Sequence, residues 1–167
     1  MPIKREKNEK LFRYVDTITY APLKAFAENA VTLYSSEKRL NEANEVIDVM
    51  MAMLKKKNLL NANGSQAFVE IMVVAGLVHN LFYDGSLHSV FYARERLTPL
   101  AKEHEVPEMA LNQILQAVEG QFGDDMPIEA CRPNPSTPIE LFAWAVWFVE
   151  EYQHDGKLMP MEKPVNL

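Results

Sequence analysis

Two features of the sequence predict an all-α fold, a compact multi-helix bundle. Apolar residues recur at helical spacing through most of the chain, and no stretch shows the alternation and turn chemistry of a strand hairpin. Ser, Pro and Gly punctuate these periodic segments where helices would start and stop. No internal repeat or low-complexity tract interrupts the pattern.

The first apolar stripe, Leu11, Tyr14, Val15 and Ile18, predicts a short helix. Pro22 suits the first turn of a second helix running through Phe26, Ala30 and Leu33. Ser35 or Ser36 can cap a third, in which Leu40, Ala43, Val46, Ile47, Met50 and Leu54 mark the core face. Lysines 55–57 complement its C-terminal dipole, and residues 61–64 break it. Ser65 caps the next helix, whose 68–81 segment is apolar nearly all round and so should be central.

A turn at 83–86 leads into a helix through Leu97 and Leu100, where Pro99 predicts a kink or a break. Pro107 opens another helix with Met109, Leu111, Ile114, Leu115 and Val118 on its buried side. Residues 120–136 read as a long loop. Thr137-Pro138-Ile139-Glu140 is a capping box that opens an aromatic helix with Phe142, Trp144, Trp147 and Tyr152. Residues 1–154 therefore form one domain, and 155–167 a weakly ordered tail.

The composition narrows the function. With 167 residues, 48% hydrophobic and 24% charged, the chain is long enough and apolar enough to bury a core. A formal net charge of -6 argues against general nucleic-acid binding, which clustered Lys and Arg would drive. The basic stretch at 4–10 also carries Glu6 and Glu9 and reads as a solvated face. Cys131, the only cysteine, allows no internal disulfide and no thiolate metal cluster, which points to a reducing cytoplasm. The polar N-terminus does not read as a secretory signal, and no apolar run is long enough to span a membrane.

Five segments, in order, resemble the HD-domain superfamily of metal-dependent phosphohydrolases. Ala75-Gly76-Leu77-Val78-His79-Asn80 is similar to that family's apolar helix ending in His-Asp, with Asn80 in place of the aspartate. Ser36-Glu37-Lys38-Arg39-Leu40 resembles the start of the helix bearing its first histidine, with Ser36 at the ligand position. Leu87-His88-Ser89 matches an additional histidine of some members, and Gln121 stands where such members present another. The segment from Ser136 to Val146 resembles the closing helix, with Val146 where an aspartate is expected. The resemblance implies an HD-like helical core and a pocket formed by Ser36, His79, Asn80, His88, Gln121 and Val146.

A hydrolytic cation needs carboxylate or imidazole donors to be held and to activate its water. Among the four basic ligand positions only His79 keeps such a group: Ser36 is a weak neutral donor, Asn80 lacks the charge and Val146 has no lone pair. A shifted site built from His79, Asp84, His88 and Glu119 has suitable residue types. The plainer reading of His79 is a buried imidazole bonded to a carbonyl. For Arg94 and Arg96 it is surface pairing with Glu95 and Glu103. The expectation is a non-catalytic relative that needs no cofactor and binds a small phosphorylated ligand or a protein partner. Two alternatives stand beside it. One is an active phosphohydrolase with a divalent metal; the other is an interaction protein whose Met50-Met51-Met53 segment or last helix joins two copies as a homodimer.

Overall fold

The amphipathic stretch from Leu40 to Leu54 forms the longest of the described helices. In the computed structural model, which describes residues 3–56, 65–82 and 88–120, α1 spans Ala21–Val31, α2 Glu37–Lys56, α3 Ser65–Val78, α4 His88–Glu103 and α5 Glu108–Gly120. The described residues contain no strand, so the architecture is all-helical. Helix α3 packs against α1, α2 and α5, while α4 lies against α5 and α1. None of the described helices is long and apolar enough to cross a membrane.

Periodicity assigns the α2 core face correctly. Leu40, Ala43, Val46, Ile47, Met50 and Leu54 are all buried, and Ser36 caps the helix by accepting a bond from the Arg39 N–H at 3.4 Å. Met50 and Met53 belong to this core, and Met51 packs partly buried against it. The Met50-Met51-Met53 segment is therefore not the exposed docking face that its composition suggested. Burying these flexible side chains against α3 fills the space between two helices.

Helix α3 is enclosed as its all-round apolarity requires: Met72, Val73, Val74, Ala75, Leu77 and Val78 are buried. Gly76 brings it close to α2. A Cβ on Gly76 would run into Ile47 Cγ1, and would also press on Ile47 Cδ1 at 3.1 Å and Met50 Cε at 3.2 Å. The clash is with the root of the isoleucine side chain, which cannot swing away as a flexible tip would.

The N-terminal segment departs from expectation. Instead of one helix it forms three short 3-10 turns, Arg5–Lys7, Glu9–Phe12 and Val15–Thr17. Phe12, Val15 and Ile18 are its buried apolar side chains, with Leu11 and Tyr14 only partly covered. Tertiary bonds outcompete the helical ladder here. Asn44, fully buried on α2, donates to the Leu11 carbonyl at 3.0 Å, and Asp48 accepts from Arg13 at 3.0 Å and from the Tyr14 hydroxyl. At Ile18 the chain is extended and leads into α1.

Glu70 fixes that entry. Its side chain, on the apolar α3, accepts from the backbone N–H groups of Thr19 and Tyr20 at 2.9 Å each. It also accepts from the Thr19 hydroxyl and the Gln66 amide, both at 2.6 Å. A carboxylate on a neighbouring helix thus does the capping that Tyr20, the residue before α1, does not. Burial pushes the Glu70 carboxyl up, but these hydrogen bonds outweigh it and hold the group below the ordinary glutamate range.

Further details refine the expectation. Helix α1 stops at Val31, so Leu33 is 52% exposed and Tyr34 turns inward instead. Of the two outcomes expected at Pro99, a kink or a break, the break is absent, since α4 runs through it; Pro99 is exposed, where water can take the Glu95 carbonyl left without its usual donor. Met109 is 75% exposed because α5 begins at Glu108, with Pro107 preceding it, and buries Leu111, Ile114, Leu115 and Val118. Gly120 closes α5 and does not start the loop. The breaks at 61–64 and 83–86, residues 121–136 of the loop, the helix from Thr137 and the 155–167 tail lie outside the described residues, as do Lys57, Cys131 and His154.

Between α4 and α5 the chain reverses through a left-handed residue. Glu105 has φ 61°, its N–H bonds the Lys102 carbonyl at 3.1 Å, and the Val106 N–H bonds the Ala101 carbonyl at 2.9 Å. This is the Schellman pattern, with glutamate where glycine is usual. Glu105→Gly is expected to raise stability by about 0.5–1 kcal/mol, because glycine adopts φ > 0 without the Cβ penalty. Urea unfolding of the two proteins measures it. Gly76→Ala should do the opposite and lower stability by about 1–3 kcal/mol through overpacking. Adding Ile47→Ala to it should give a smaller loss than the two single changes summed.

Candidate functional site

The end of α3 and the start of α2 meet at a small polar junction in an otherwise apolar interior. Every carbonyl in the last turn of α3 finds a donor there. The Ala75 carbonyl accepts from the His79 N–H at 3.0 Å and the Val78 carbonyl from the Leu81 N–H at 3.2 Å. The Gly76 carbonyl accepts from His79 Nδ1 at 2.6 Å, and the Leu77 carbonyl from the Tyr34 hydroxyl at 2.7 Å. A helix terminus buried among apolar side chains needs such partners, since unpaired carbonyls there would lose their hydration with nothing in return.

Asn80 ties this terminus to α2. Its Nδ2 donates to the Arg39 carbonyl at 2.9 Å and to Glu42 Oε2 at 3.4 Å, and its Oδ1 accepts from the Arg39 guanidinium at 3.5 Å. Ser36 engages the same residue from the other side, through the Arg39 N–H. Three of the sequence-selected positions, Ser36, His79 and Asn80, are therefore brought to one place with Arg39 between them.

His79 is 8% exposed. Burial lowers its imidazole pKa to about 4, and the nearby Arg39 guanidinium pushes in the same direction against the opposing bond to Gly76. The ring is neutral at pH 7. Because a carbonyl can only accept, Nδ1 carries the proton and the lone pair lies on Nε2. Metal-bound histidines make the same bond to a carbonyl, so the groups around the ring matter more than the bond itself. The Arg39 guanidinium is one such group, and it sets a positive charge near the ring.

The chain matches no family model, no curated protein and no solved structure.

The other selected residues are spread differently. His88 is the first residue of α4, and its side chain falls outside the described set, as do Asp84, Gln121 and Val146. Glu119, the remaining member of the shifted set, accepts a 2.7 Å charge-assisted bond from Arg94 Nε. Arg94 thus pairs across to α5 and not with Glu95 or Glu103, while Arg96 stacks over the Tyr92 ring at 4.7 Å. Among the described residues, no three His, Cys, Asp or Glu side chains cluster so as to hold a metal ion. Trp144 and Trp147 of the aromatic helix lie outside the described residues.

Sequence reasoning missed Tyr34, Arg39 and Glu42 as parts of this junction and Glu70 as a capping group. Glu70 and Asn44 carry a readable signal: each is a polar residue at a position that helical periodicity places inside. Arg39 and Tyr34 carry none, because their roles depend on where α3 ends in space.

Replacing Asn80 by aspartate removes the donor to the Arg39 carbonyl and sets a carboxylate against that carbonyl and Glu42. Asn80→Asp is therefore expected to lose about 1–3 kcal/mol at pH 7, and less in acid, where the new carboxyl regains a proton to donate. Urea titrations at pH 7 and pH 4.5 compare the two conditions. For His79, the unfolded imidazole binds its proton near pH 6.5 while the folded one does so only at about 4. Between those values the unfolded state holds the extra proton, so stability is full above pH 6.5 and falls by up to about 3 kcal/mol as pH drops to 4. In the folded protein its imidazole resonances should stay fixed between pH 5.5 and 8 by NMR, and His79→Gln should flatten the acid limb of the stability curve.

Proposed function

We propose that the chain is a non-catalytic, HD-domain-like protein that binds a nucleotide-like phosphorylated ligand or a protein partner without hydrolysing it. The observation that carries this reading is the state of Asn80. The resemblance expects an anionic metal ligand there, but the residue present uses its amide as a hydrogen-bond donor to the Arg39 carbonyl and Glu42. A carboxylate cannot make those bonds.

The surrounding groups favour the same reading. Ser36 holds the first turn of α2, and His79 bonds a carbonyl of α3. The Arg39 charge that depresses His79 would also oppose a cation bound at its ring. A hydrolase needs the reverse arrangement, in which anionic donors surround the metal and offset its charge. The junction gathers the Arg39 guanidinium, the Asn80 amide and the Glu42 carboxyl.

Metal analysis of the purified full-length chain, together with a screen against phosphomonoesters, nucleotides and cyclic dinucleotides, tests the proposal. The expected result is divalent metal well below one per chain, with no product formed whether or not metal is added. Any ligand found should raise the melting temperature and be recovered unchanged. Stoichiometric metal, with turnover abolished by a chelator, would establish a divergent phosphohydrolase instead.

A further inference from the structure

We draw no further inference here: the strongest candidate, the surface cluster of Phe82, beyond the end of α3, with Tyr92 and Arg96 of α4, carries nothing because Arg96 is already stacked on Tyr92, α4 also exposes Glu95 and Glu103 so that the charge is mixed, and nothing in the structure shows what covers it.

Discussion

A helix that is apolar on every side must be enclosed, and the enclosure of α3 governs the rest of this molecule. Its neighbours α1, α2 and α5 pack against it, and Gly76 leaves room for the Ile47 and Met50 side chains of α2. Such burial stabilises through the apolar area removed from solvent, roughly 25 cal/mol per Å². It also strips water from whatever polar groups the helix carries. Each of these must then find a partner within the protein.

The polar features of the structure follow from that demand. Near one end of α3, Glu70 finds backbone donors at Thr19 and Tyr20, and in meeting its own need caps α1. At the other end, the exposed carbonyls are taken by His79 and Tyr34, and Asn80 fastens the terminus to α2. Ser36, His79 and Asn80 thus act as structural donors and acceptors where α2 and α3 meet. Removing a carboxylate from such a place relieves the protein of a desolvated negative charge, while an amide can both donate and accept there.

The N-terminal segment shows how far tertiary partners can redirect local preference. Its stripe of Leu11, Tyr14, Val15 and Ile18 has helical spacing, yet the segment folds as 3-10 turns and an extended residue. Isolated short helices are only marginally stable, so a few external hydrogen bonds suffice to replace their ladder. Asn44, Asp48 and Glu70 supply those bonds from α2 and α3.

The sequence by itself determined the helical class, the core face of α2, a serine cap at position 35 or 36 and the central place of α3, because periodicity and capping are local properties of the chain. His79 and Asn80 are singled out by the resemblance of their segment to an apolar helix ending in His-Asp. Only the tertiary structure decided what they touch. That Asn80 meets Arg39 and Glu42, that Tyr34 reaches the Leu77 carbonyl and that Glu119 pairs with Arg94 all depend on how helices distant in sequence are set against one another. Hydrogen bonds are short and directional, so these pairings are fixed by relative positions to within an ångström, and no spacing along the chain encodes those positions.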